Sequence, residues 1–292
     1  MEEQLAIFLE LLQAERQYSE NTTAAYKNDL GQFMSFLMQA PNQVANWDEV
    51  TPEIVAAYVE SMKSGDYASS TVARKVAAIK SFFHHLLARG SIQSDPTAGI
   101  DSPKVEKRLP VTLSSEAVEK LLQAPMAKAE QTPKHLRDAA LLALLYATGM
   151  RVTEVVSLTV NDIDLATRQL HSPGKDDAER RLPFDAGTAH SLKEYLEKGR
   201  PHLLKHEAEE ALFLNHRGQQ LTRQGLWLII KSYARESSLD NSVTPHTLRH
   251  SFAAHKLQSG SNLQTVQHLL GHANISTTQI YAQIDKDEPK GA

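Results

Sequence analysis

The sequence predicts a mainly α protein in two parts. A four-helix bundle occupies residues 1–100, a linker 101–112, and a larger, mostly α domain 113–292 that carries a small antiparallel three-stranded sheet. Three observations predict this. Apolar residues through the first hundred positions recur at the three-to-four spacing of amphipathic helices. The stretch DPTAGIDSPKVEKRLPVTLSSE loses that period and gathers three prolines and mixed charge. Beyond it the helical period returns, broken once by VNDIDLATRQLHSPGKDDAERRLPF, three β-prone pieces separated by turn residues.

Each element has its own signal. Leu5, Phe8, Leu9, Leu11 and Leu12 mark the first helix. Ser19 caps a second, with Tyr26, Leu30, Phe33, Phe36 and Leu37 as its stripe. In TPEIVAAYVESMK, Pro52 stands in the first turn, where its missing N–H is harmless. The fourth helix carries Val72, Val76, Ile79, Phe82, Phe83 and Leu86 and ends on Gly90. SSEAVEKLL opens the second domain, with Glu116 in its first turn. RDAALLALLYATGM is apolar nearly all round, which predicts burial on most sides, and RVTEVVSL follows it after a glycine. Pro173-Gly174 opens the last turn of the sheet, and the remainder reads as helical to Tyr281.

Composition bounds the function. A chain of 292 residues accommodates one large or two ordinary domains. With no cysteine, disulfides and thiolate metal sites are excluded. The longest apolar run, near 139–147, is far short of a membrane span, and MEEQLAIFLE lacks the basic start of a secretory signal. These features fit a cytoplasmic protein. A net charge of −4 argues against a nucleic-acid partner, yet the charge is uneven. Residues 67–94 hold Arg74, Lys75, Lys80 and Arg89 with no acid, and 216–256 hold six Lys or Arg against Glu236 and Asp240. Such patches are either solvated helix faces or an electrostatic footprint for DNA.

Four segments carry residues able to do chemistry: ATGMRVTEVVSL with Arg151 and Glu154, SPGKDDAERRLP with Lys175, TPHTLRHSFAAH with His246 and Arg249, and LLGHANISTTQIY with His272 and Tyr281. Singly, each has an ordinary explanation. An arginine after a glycine is usually a surface residue, a turn lysine is solvated, and a lone tyrosine is half-buried core. His246 and His250 have metal-ligand spacing, but no glutamate stands between them and Arg249 would repel a cation. Together the set is cationic, rich in donors and lacks a carboxylate pair. That suits a phosphate on which negative charge grows, since arginine forks match phosphate oxygens. Tyr281 is the one strong oxygen nucleophile in the set. Ionising a phenol at neutral pH costs roughly 4 kcal/mol, which a cationic cluster or a nearby base reduces.

The motifs G-M-R-V-T-E-V-V-S-L, G-K, H-T-L-R-H-S-F-A and L-G-H-A-N-I-S-T-T-Q-I-Y, in this order, resemble the tyrosine recombinases of the phage integrase family, and within it the Xer-type site-specific recombinases. The resemblance covers essentially the whole chain. It implies a core-binding, SAM-like helical domain over 1–100 that clamps DNA and a catalytic domain over 113–292. It implies that Tyr281 attacks the scissile phosphate, forming a 3′-phosphotyrosyl bond and releasing a 5′-hydroxyl. Arg151 and Arg249 then hold the non-bridging oxygens, Lys175 protonates the leaving oxygen, His246 serves as general base or proton manager, His272 bonds the phosphate, and Glu154 supports the site. No nucleotide or metal cofactor is implied. Arg74, Lys75 and Lys80 are expected on DNA phosphates, and the helix with Thr22, Thr23 and Lys27 is a candidate for reading bases.

The resemblance further implies a double-stranded recombination site, a homo- or hetero-tetramer on it, and as further partners a paralogous recombinase and a DNA translocase. The implied task is chromosome or plasmid dimer resolution. Two departures stand out: Asp176 and Asp177 follow the G-K turn, and the tail AQIDKDEPKGA is acidic, broken by Pro289 and short for a docking helix. The tail implies either a reduced exchange contact or a trimmed end. Strand relaxation of the type IB topoisomerase kind and a non-catalytic DNA-binding accessory protein are the alternative readings.

Overall fold

A computed structural model describes residues 1–14, 20–39, 43–103, 110–173, 179–240, 242–271 and 277–281. The backbone divides into two compact units, Met1–Lys107 and Arg108–Ala292. In the first, α1 (Glu2–Ala14), α2 (Glu20–Met38), α3 (Pro52–Ser64) and α4 (Ser69–Ala88) follow the four predicted stripes. Thr51 caps α3 by accepting from the Ile54 N–H, and Pro52 occupies the first turn as predicted. The Ser19 cap expected for α2 lies outside the described residues. α4 packs against α1, α2 and α3. Phe8, Phe33, Trp47, Phe82 and Phe83 form an aromatic centre, with Phe82 4.7 Å from Trp47 edge to face.

Two expectations for this unit are corrected. Lys75 is only 2 % exposed, and its ammonium donates to Asp29 Oδ1 at 3.0 Å and to Gln32 Oε1 at 2.7 Å. It spends its charge inside the bundle rather than on a surface that meets phosphates. Asp29, itself buried, also pairs with Arg74. Thr23 is buried as well, so α2 presents Lys27, not Thr23, outward, while Thr22 is partly covered. A buried ion pair that loses one partner leaves an uncompensated charge. Asp29→Ala is therefore expected to cost about 3–5 kcal/mol in denaturant unfolding, most of it from stranding Lys75.

The second unit holds α5 (Ser115–Gln123), α6 (Pro133–Thr148), α7 (Val152–Ser157), a sheet, α8 (Ala186–Glu194), α9 (Arg200–Leu203), α10 (Arg223–Glu236), α11 (Pro245–Gln258) and α12 (Leu263–Leu270). Ala140, Leu141, Leu142, Leu144 and Leu145 of α6 are all buried, and α5, α8, α9 and α11 pack around it, as its all-round apolarity predicts. The sheet is β1 (Ile163–Asp164), β2 (Gln169–Pro173) and β3 (Glu179–Pro183), antiparallel in sequence order. Leu170 pairs with Leu182 on the core face, and Ser172 pairs with Arg180 two residues further along.

The prediction of unbroken helix to Tyr281 is corrected between α9 and α10. There Leu212, Phe213 and Leu214 are buried in succession, an all-round burial that an extended chain between layers allows. Isolated bridges Thr159↔Ala211 and Leu214↔Gln220 secure the segment, and Gly218, at φ 76°, turns it. Among the described residues no helix is long and apolar enough to cross a membrane.

Candidate active site

Two left-handed glycines frame the site. Gly149, at φ 61°, stops α6 and delivers the chain to Arg151 at the head of α7. Gly271, at φ 62°, closes α12 just before His272. A Cβ on Gly149 would strike the Phe252 ring, and one on Gly271 would strike the Arg180 guanidinium. Both positions therefore need glycine for conformation, and Gly149 needs it for space as well.

The arginines grip the ends of these helices. Arg249, on the second turn of α11, is 6 % exposed and donates to the Gly149 carbonyl at 2.5 Å and the Leu270 carbonyl at 2.6 Å. Carbonyls at helix C-termini lack intrahelical partners and attract cations. Arg151 donates from Nη2 to the Gly271 carbonyl at 2.9 Å and from Nη1 to Glu154 Oε1 at 2.8 Å, with its side chain 45 % exposed. Glu154 Oε2 accepts the Arg151 backbone N–H at 2.8 Å and Arg180 Nη2 at 3.1 Å.

Electrostatics follow from this crowding. Burial pushes the Glu154 carboxyl up, but the Arg151 N–H and the charges of Arg180 and Arg151 outweigh it and hold the group below the usual carboxylate range. Burial and then the Arg151 charge pull Arg249 down to about 10, so it stays charged at neutral pH.

Residues 277–281 are helical and carry Tyr281 into an apolar nest of Phe252, Ala253, Val266 and Leu270, where it is 3 % exposed. Its hydroxyl lies 2.7 Å from His250 Nδ1. Burial raises the phenol pKa while the Arg249 charge pulls against it, so the hydroxyl is protonated at neutral pH. Burial, then the charges of His246 and Arg249, lower that of His250, which keeps the ring neutral near neutral pH. His246, one turn earlier and exposed, has its ring 6.5 Å from that of His250.

The structure thus brings Arg151, Arg249 and Glu154 into one cluster, with Tyr281 close enough to feel the Arg249 charge. Lys175 and His272 lie outside the described residues. Sequence reasoning missed Arg180 and the role of His250. The signal for Arg180 was a charged residue in register with core-facing Leu182 on an alternating strand. His250 drew notice only through its metal-like spacing from His246, whereas its Nδ1 is engaged by the phenol.

A pH dependence follows. An unfolded histidine takes up its proton near pH 6.5, and folded His250 resists until lower pH. Stability is present above that value and is lost as pH falls below it, with a slope of at most about 1.4 kcal/mol per pH unit. Urea unfolding across pH 5 to 8 is expected to show this loss, and His250→Gln to flatten it.

Comparison with known proteins extends the picture. The Phage integrase family pattern matches residues 112–288, and the pattern of the phage integrase N-terminal SAM-like domain matches 5–90. The tyrosine recombinase XerC of Roseiflexus castenholzii is 49% identical over 289 residues, 98% of this chain and 90% of that protein. The tyrosine recombinase XerD of Listeria monocytogenes serovar 1/2a is 42% identical over 280 residues, 96% of this chain and 93% of that protein. Among solved structures, the XerH site-specific recombinase bound to palindromic difH substrate, in a post-cleavage complex, superposes with a TM-score of 0.77 at 24% identity, over 93% of this chain and 78% of that one, and shows the shared fold.

Proposed function

The chain belongs to the phage integrase family, as a tyrosine recombinase of the Xer type, and we infer that it performs site-specific recombination by breaking and rejoining double-stranded DNA through a covalent bond to Tyr281. One observation supports the assignment of roles: Arg151 and Arg249, from separate segments, hold the adjacent carbonyls of Gly271 and Leu270 at the end of α12, and the Arg249 charge reaches the Tyr281 phenol. The half-exposed Arg151 guanidinium receives a non-bridging oxygen of the scissile phosphate, and Arg249 supports it from beneath. Both stabilise the charge that builds as the phenol oxygen adds to phosphorus. The bond to tyrosine preserves the energy of the phosphodiester, so a 5′-hydroxyl from another duplex can reseal the strand without a nucleotide cofactor.

In the structure Tyr281 is buried and protonated, which supports a resting state from which the phenol moves outward to reach DNA. Lys175 is the proposed donor to the leaving 5′-oxygen, His272 a phosphate ligand, and His246, exposed on the first turn of α11, a proton manager. For the N-terminal unit, Arg74 and Lys80 remain the proposed phosphate contacts, and Lys27, exposed on α2, the proposed base-reading residue. Assembly as a tetramer on DNA, with a paralogue or a DNA translocase, a cytoplasmic location and a task in dimer resolution complete the reading. The XerC and XerD relatives are recombinases by name, and the likeness to them favours recombination over strand relaxation or a catalytically inert accessory role.

The test is covalent capture. The protein is crosslinked to nothing, denatured after incubation with genomic DNA in cells, and the DNA that remains attached is sequenced. Recovery of a discrete site with a phosphotyrosyl peptide containing Tyr281 is the expected result. Binding of DNA in a native mobility shift with no DNA left attached after denaturation would favour the accessory-protein reading.

A further inference from the structure

The cluster around Glu154 contains one arginine more than the roles above require. Arg180 is 7 % exposed, donates to Glu154 Oε2 at 3.1 Å and abuts Gly271, whose carbonyl Arg151 holds. Its Nε is buried without a hydrogen-bond partner among the described residues, and so is the Oγ of Ser172, directly across on β2. A guanidinium kept in place with an unmet donor is poorly explained by stability, because a buried unmade bond works against folding. Function is the better explanation, and the charges indicate which.

Glu154 is shared. One oxygen takes Arg151 Nη1, the other takes the Arg151 N–H and Arg180 Nη2. Without Arg180 the whole carboxylate would face Arg151 and neutralise the one guanidinium exposed enough to meet a phosphate. With it, three arginines stand against one glutamate, leaving two net positive charges in the cluster. A phosphodiester carries one negative charge, and the pentacoordinate state formed when a deprotonated phenol adds to it carries two. The cluster therefore complements the transition state better than the ground state, which is the condition for accelerating chemistry rather than binding.

We propose that Arg180 is a positioning residue for cleavage: by sharing Glu154 it keeps Arg151 oriented yet unneutralised, and so reserves the Arg151 charge for the scissile phosphate. This rests on the recombinase reading above. Arg180 does not itself touch DNA.

The experiment measures single-turnover adduct formation and DNA affinity on a nicked duplex bearing the captured site, for the full chain and four variants. Arg180→Met is expected to slow adduct formation about a hundredfold with affinity changed less than about threefold. Arg180→Lys, which keeps the charge, is expected to retain most of the rate. The decisive variant is the double substitution Arg180→Met with Glu154→Gln, which removes the carboxylate Arg180 had shared. It is expected to recover at least about tenfold over Arg180→Met alone, a rescue that a purely structural arginine does not give. No recovery, or a wild-type rate in Arg180→Met, overturns the proposal. Should Arg180→Met fail to fold, Arg180→Gln is compared with Arg180→Lys, and equal rates overturn it. A wild-type chain that forms no adduct overturns the recombinase reading and this one together, whereas wild-type adduct with equal variants overturns this one alone.

Discussion

Tyr281→Phe is expected to abolish the covalent adduct, lowering its rate by about 10⁴-fold or more, while DNA affinity stays within about threefold. The asymmetry comes from where the hydroxyl sits. It is buried, 2.7 Å from His250 Nδ1, so removing it takes no exposed group from a surface that could meet DNA. The ring itself belongs to the nest of Phe252, Val266 and Leu270, and phenylalanine fills that space equally well. One hydrogen bond to a neutral imidazole is lost, worth about 1 kcal/mol, so the fold persists. Denaturing gels of a nicked substrate read the adduct, and a mobility shift reads affinity. An adduct surviving in Tyr281→Phe would place the nucleophile elsewhere.

Local signals made much of this protein legible. The stripes of α1 to α4, the all-round apolarity of α6 and the β-prone pieces around Leu170 and Leu182 each follow from a period that one segment contains. Long-range pairings were not legible. Lys75 reads as part of a basic patch because its partner, Asp29, stands on another helix, 46 residues away. Glu154 reads as a neighbour of Arg151, but its second cation, Arg180, arrives from a strand. Arg249 stands out by motif, yet that it ties α6 to α12 depends on two carbonyls exposed by left-handed helix ends. The failure between α9 and α10 has the same root: consecutive buried residues suit a helix or an extended strand equally, and the bridges to Thr159 and Gln220 decided the matter.

Arg249→Lys is expected to slow adduct formation about a hundredfold at neutral pH, and further as pH rises. Arginine spans the Gly149 and Leu270 carbonyls with two nitrogens of one rigid fork, which a lysine ammonium, a point charge on a flexible stem, cannot reproduce. One buried carbonyl then loses its donor, which costs about 1–3 kcal/mol and loosens the junction that aligns Arg151 through Gly271. The pH effect comes from the same burial and Arg151 charge that bring the native guanidinium down to about 10. Applied to a lysine, whose ordinary value is lower than arginine's, they bring its loss of charge nearer to neutral pH. The group is depressed, so its charged form is lost at a lower pH than that of the native guanidinium. As pH rises above neutrality the variant is expected to lose activity that the native protein keeps. A pH profile of single-turnover cleavage, native against variant, checks this, and parallel profiles would mean that Arg249 serves the fold alone.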